Sequence, residues 1–197
     1  PGIWNGPYPS GAPAIFIDEG SRLGVPCGII RCVGNVGVGD IIILRLAADG
    51  VDIRGISVLP LEATGSAFVT YHNSGDRDFI FNIKNAACGK LSAQHVDENI
   101  LKDCTHFHIM GSSLFSFHMV DAVKKAVTFV KANAGDISFD PNIRKEMLDI
   151  PEMRDALHFV LELTDIYIAS EVQVLRFSPH STPEPAIPGF LEEGPKQ

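Results

Sequence analysis

Four short segments carry the residue types from which a polar small-molecule site could be built. They are Gly34-Asn35, Gly111-Ser112-Ser113, Asp140-Pro141-Asn142-Ile143-Arg144 and Ser170-Glu171. Together they offer amides, hydroxyls, carboxylates and one guanidinium, with glycine freeing the backbone for close approach. Arg144 can grip an oxyanion through two parallel N–H donors. Each segment alone reads as an ordinary strand-end turn with caps; as a set they favour a ligand. The run Gly34-Asn35-Val36-Gly37-Val38-Gly39-Asp40 is a glycine-rich turn entering a helix. Its glycines fall in the order GxxGxG, and it lacks the Lys-Ser/Thr of a P-loop, so it reads as a tight strand-to-helix turn. His106 and His108, two apart on a strand, face the same side. A metal would need further ligands equally well defined, so both read as structural histidines. No GxSxG and no Cys–His pairing stands out, and His72, His95, His118, His158 and His180 are scattered.

Such residues need elements to hold them, and the composition sets the class. The chain has 197 residues, 45% hydrophobic and 20% charged, enough for one domain with a sizeable core. Sixteen basic against 24 acidic residues give a net charge of −8. That balance argues against a nucleic-acid binder, which needs a surplus of Lys and Arg. No apolar run reaches membrane-span length, and no charged-then-apolar leader opens the chain. Cys27, Cys32, Cys88 and Cys104 lack CxxC spacing and read as reduced, buried thiols of a cytoplasmic protein.

The patterning predicts alternating helices and strands. Pro1–Pro13 reads as irregular or edge strand, Ala14–Leu23 as a helix, Cys27–Val33 as a buried strand and Asp40–Asp49 as a helix. Ile56–Leu59, Ser66–Tyr71 and Asp78–Ile83 read as strands, the last two flanking the turn signal Asn73-Ser74-Gly75-Asp76. Ser92 caps a helix over Ala93–Lys102, and His106–Met110 is a strand. Phe117–Ala132 is a helix with Met119, Val120, Val123, Val127 and Val130 as its apolar stripe. Ile137–Phe139 and Asp165–Ala169 are strands; Met153–Leu163, Glu171–Phe177 and Pro183–Glu193 are helices. This order predicts a parallel sheet with crossovers, and ligands then sit beyond the carboxyl ends of its strands.

An ordered series of motifs resembles the ribokinase-like (PfkB) carbohydrate kinases. It runs from Ser10-Gly11-Ala12-Pro13-Ala14 through Val33-Gly34-Asn35, Ala48-Asp49-Gly50-Val51-Asp52, Thr64-Gly65-Ser66-Ala67-Phe68 and Gly75-Asp76-Arg77 to Asn85-Ala86-Ala87. It continues with Gly111-Ser112-Ser113, Asp140-Pro141-Asn142-Ile143-Arg144 and Ser170-Glu171. The D-P-N-x-R stretch is similar to the fructokinase and 2-keto-3-deoxygluconate kinase side of the family. The resemblance implies a three-layer α/β/α sandwich with a mainly parallel sheet and a small β-sheet lid, here incomplete. Residues 1–197 would form one partial domain, with lid strands within about 1–13 and 56–90 and an α/β core over 14–55 and 91–197. It further implies ATP- and Mg2+-dependent phosphoryl transfer to a hydroxyl of a ketose or sugar acid.

By that resemblance Gly11 and Ala12 approach the sugar, Asp18 accepts a hydroxyl, and Ser112 and Ser113 line the pocket. Asn142 and Arg144 face the phosphoryl donor or a sugar carboxylate, and Glu171 the metal's water shell. The G-A-G-D segment and catalytic Asp are expected downstream, leaving no catalytic residue here and no turnover by this chain alone. The chain also departs from the family pattern. Ser10 replaces a Gly, Ile15 an Asn, Val36 an Asp, and Gln173 the Glu of an N-x-x-E motif. These departures keep a second reading open: a non-catalytic sugar-binding or dimerisation module. A third is a nucleoside kinase relative. Expected partners are a sugar or sugar acid and a second copy bound through the lid, with neither nucleic acid nor membrane.

Overall fold

The computed structural model describes residues 5–35, 37–142, 151–178 and 180–193. Its contacts divide the chain into two units, Pro1–Leu91 and Ser92–Gln197. In the first, α1 (Ala12–Arg22) carries a proline in its opening turn, where an absent N–H costs nothing, and Gly24 at φ 84 stops the chain just beyond it. There follow β1 (Arg31–Gly34), α2 (Gly37–Ala48) and β2 (Ile56–Leu59). β1 and β2 pair in parallel, Arg31 opposite Ile56 and Gly34 opposite Leu59. Ile42 and Leu46, one turn apart on α2, pack with Val51 to form the local core, and Ile17, Ile29, Ile53 and Ile56 close around them.

The strand predicted over Cys27–Val33 is regular only from Arg31. Upstream, a lone bridge joins Gly28 to Asp52, and the amides of Ile29 and Arg31 bond to Asp52 and Gly55 in a loop. The glycine-rich turn is a packing device. A Cβ on Gly34 would lie 2.0 Å from the Glu62 carbonyl oxygen, and one on Gly39 would lie 2.3 Å from that of Gly34. The Gly34 N–H is already used, donating to Thr64 Oγ1 at 3.0 Å.

β3 (Ser66–Tyr71) and β4 (Arg77–Asn82) form an antiparallel hairpin, Tyr71 opposite Arg77 and Ser66 opposite Asn82. Gly75, at φ 89, makes the turn together with the bond from His72 N–H to the Asp76 carbonyl. That closure starts β4 one residue earlier than the sequence suggested. β2, grouped by sequence with the lid strands, belongs instead with β1, and the described residues 5–11 contain no strand.

In the second unit β5 (His106–Met110), β6 (Asp136–Asp140) and β7 (Ile166–Tyr167) make a parallel sheet in that order. Between them run α4 (Phe117–Ala132), with the predicted bounds, and α5 (Pro151–Leu163). α4 buries Met119, Ala122, Ala126, Val127 and Val130; the predicted stripe members Val120 and Val123 are only half-buried. Ile137 and Phe139 of β6 are completely buried. Lys131 Nζ lies 2.6 Å from Asp165 Oδ2, which also accepts from the Ile137 N–H at 2.8 Å. This pins the last turn of α4 to the start of β6. The strand expected over Asp165–Ala169 shrinks to Ile166–Tyr167.

The helix expected over Ala93–Lys102 is broken into a 3-10 turn, Ala93–His95, and α3 (Glu98–Leu101). The break has local causes. His95 Nδ1 accepts from the Ser92 N–H, and Asp97 begins a fresh helix by accepting from the Asn99 N–H. Lys125 Nζ then donates to the carbonyls of Ala93 and Val96. α6 (Glu171–Phe177) and α7 (Pro183–Glu193) keep their predicted bounds, α7 with Pro188 inside it.

Candidate functional site

Two places hold the residues singled out by sequence, one in each unit. In the first unit a cleft of about 270 Å³ opens beside the start of α1, lined among others by Tyr8, Ser10, Ile15, Asp18 and Arg45. Asp18 sits one and a half turns into α1, 15% exposed, with Oδ2 3.5 Å from Arg45 and 3.9 Å from Arg22. Arg45 Nε lies 2.7 Å from Asp49, the residue just past the end of α2. Asp18 Oδ1 is buried and has no hydrogen-bond partner among the described residues. The arrangement can accept a donor such as a hydroxyl.

Gly11 precedes α1 at φ 105 with open space where a side chain would stand, so only glycine fits the backbone without strain. Gly11 and Ala12 flank the cleft without lining it. Ile15, 53% exposed, presents an apolar side chain to it. Arg45 was missed by the sequence reading; its signal was the i, i+4 spacing to Asp49, the residue just past α2.

In the second unit the ends of β5 and β6 lie backbone on backbone. A Cβ on Gly111 would come 2.4 Å from the Pro141 carbonyl oxygen. This brings Gly111-Ser112-Ser113, a 3-10 turn with both serines half-buried, next to Asp140-Pro141-Asn142. Asn142 adopts φ 39 and donates its N–H to Asp140 Oδ1 at 2.9 Å. Burial pushes the Asp140 carboxyl up. Tyr167, on β7, is raised first by burial and then by the Asp140 charge. Asp140 and Tyr167 are thus near neighbours at this edge. Asp140 lay inside a singled-out segment without a role, and Tyr167 gave no sequence signal.

Arg144 lies outside the described residues. Glu171 is exposed in the first turn of α6, and Gln173 is spent on capping: its Oε1 accepts from the Ser170 N–H at 3.0 Å. Among the described residues no three His, Cys, Asp or Glu side chains converge as a metal cage. No helix among them is long and apolar enough to cross a membrane. The four cysteines are free thiols, and burial pushes Cys32 up to about 11.

Comparison with known proteins supplies the frame for these parts. The profile of the pfkB family carbohydrate kinases matches residues 8–189. A candidate Ribokinase II from E. coli, crystallised in its apo form, is 90% identical, with a TM-score of 0.96 over 98% of this chain and 62% of that one. The same protein in complex with ATP and Mg2+ gives 89% identity and a TM-score of 0.94 over the same shares. The fructokinase of Escherichia coli is 29% identical over 166 residues, 84% of this chain and 53% of that protein. The chain therefore spans about half the length of the curated relatives it matches. In its sequence, and in the ribokinase-like α/β fold of its two units, this chain belongs to the pfkB family of carbohydrate kinases.

Proposed function

We propose that this chain is the sugar-holding and lid-bearing part of an ATP-dependent sugar kinase, which transfers a phosphoryl group to a hydroxyl of a ketose or sugar acid. The observation that carries the reading is the 89% identity, over 98% of the chain, to a protein crystallised with ATP and Mg2+. Gly11 and Ala12 allow close approach of the sugar, Asp18 accepts one of its hydroxyls, and Ser112 and Ser113 line its pocket. Asn142 and Arg144 face the phosphoryl donor or a sugar carboxylate. Mg2+ takes oxygen ligands and keeps several waters, so a bound ion needs only a share of its shell from protein. The exposed Glu171 carboxylate fits such a water-mediated share; Gln173, already bonded to the backbone, does not. When bound, the ion would neutralise charge on the transferred phosphate.

The β3–β4 hairpin serves as the lid, and its exposed Phe68, Tyr71, Ile80 and Phe81 support a homodimer formed through it. The protein acts in the cytoplasm. A second reading, a sugar-binding module without catalysis, is favoured by Ile15 in the cleft and by the capping role of Gln173.

Calorimetry of the chain against ketoses and sugar acids, with and without Mg-ATP, separates the two. The kinase reading expects sugar binding whose affinity changes when Mg-ATP is present. Sugar binding indifferent to nucleotide supports the module, and no sugar binding at all removes both. Sugar-dependent ADP release would go further and place the catalytic residues within this chain.

A further inference from the structure

The cleft beside α1 is furnished unevenly. Its buried lining is apolar, from Ala14 on α1 and from Ile42 and Leu46 on α2. Ile15 adds a side chain that stays 53% exposed. Asp18 follows three residues later, so the two are neighbours on the α1 surface. Polar groups are fewer. Arg45 is held between two carboxylates, 3.5 Å from Asp18 Oδ2 and 2.7 Å from Asp49 Oδ2. What remains for a guest is Asp18 Oδ1, which has no hydrogen-bond partner among the described residues, and the hydroxyls of the exposed Tyr8 and Ser10. At about 270 Å³ the cleft is just below the ~300 Å³ at which pockets for drug-sized ligands begin, a size that suits one monosaccharide.

We propose that Ile15 is a specificity-determining residue of this cleft: while Asp18 takes one sugar hydroxyl, the Ile15 side chain covers a sugar carbon that carries none. The inference rests on the sugar-binding part of the reading above, which the kinase and the module share. A sugar hydroxyl pressed on Ile15 sheds water and finds no partner there, because a hydrocarbon neither donates nor accepts. A methylene or methyl group in the same place gains by leaving water with it. The discrimination is limited, since an apolar wall rejects an added hydroxyl only moderately and this one is half-open to solvent. The substrate class is therefore a monodeoxy sugar, preferred to its fully hydroxylated parent by roughly tenfold.

The test is calorimetry of the full chain against D-fructose, D-gluconate and the monodeoxy analogues of each. At least one analogue is expected to bind roughly tenfold tighter than its parent sugar. Ile15→Asn supplies a donor and an acceptor where the hydrocarbon stood. It should erase or reverse that preference with circular dichroism unchanged, and Ile15→Thr, a smaller change of shape, should move it the same way. The assignment is overturned if no analogue binds tighter than its parent, or if both folded variants leave the preference where it was. In either case sugar binding itself survives, and so does the reading above. Absence of binding by every sugar, parent and analogue alike, removes that reading and this inference with it.

Discussion

The hairpin β3–β4 and the sheet β5–β6–β7 are built from similar residues and end in opposite environments. Both are rich in Phe, Ile and β-branched side chains, as strands usually are. In the sheet, Ile137 and Phe139 are completely buried because helices and flanking strands cover them. In the hairpin no residue is buried, and apolar groups stand on both faces. Phe68 and Ile80 share one face; on the other, Phe79 and Phe81 stack with centroids 5.4 Å apart. Strand propensity makes both pieces extended, but only the sheet has something to pack against. A two-stranded hairpin alone is marginal in water, and this one leaves Phe68, Tyr71, Ile80 and Phe81 exposed.

That contrast can be broken by mutation. The largest effect is expected for Phe139→Ala, which empties a fully buried position packed on Tyr167 with ring centroids 6.0 Å apart. A loss of about 3–5 kcal/mol should appear in denaturant unfolding. Lys131→Met should come second. It takes the ammonium away from Asp165, 7% exposed, whose Oδ2 still accepts from the Ile137 N–H. Because Lys131 is itself about one-third exposed, the cost should be nearer 1–3 kcal/mol than a fully buried pair would give.

Acid comes third. The ordinary His108 value is 6.5 and the folded value about 4, so the unfolded chain takes up the proton first. Stability is complete above about pH 6.5 and falls as the pH drops toward 4. His108→Gln should flatten that slope. The smallest effect is expected for Phe81→Ala, 46% exposed on the hairpin: under about 1 kcal/mol in unfolding. If Phe81→Ala cost as much as Phe139→Ala, the hairpin would have a buried role that its exposure denies.

Much of this architecture was legible before the structure. α4, β5, α6 and α7 have the bounds read from the sequence, and in α4 the apolar spacing carries the reading. The failures have two sources: local side-chain caps and turns, and bonds between segments distant in sequence. Ala93–Lys102 has helical composition, yet the His95 and Asp97 caps break it, and Lys125 from α4 takes two of the carbonyls at the break. The pairing of β2 with β1 rather than with the hairpin is invisible to local pattern, since one four-residue strand looks much like another. At the candidate sites, glycine and turn chemistry pointed to Gly11, Gly111 and Asn142. Arg45 and Tyr167 stayed hidden because their importance comes from what lies opposite them.

The quartet of Asp18, Asp49, Arg22 and Arg45 carries two charges of each sign within a few ångströms. Its far field therefore cancels, even though the whole chain is strongly acidic. A guest reaching the cleft beside α1 feels hydrogen-bond geometry at contact and almost nothing on approach. An uncharged polyol loses little by that, and salt in the medium neither hastens nor slows its arrival.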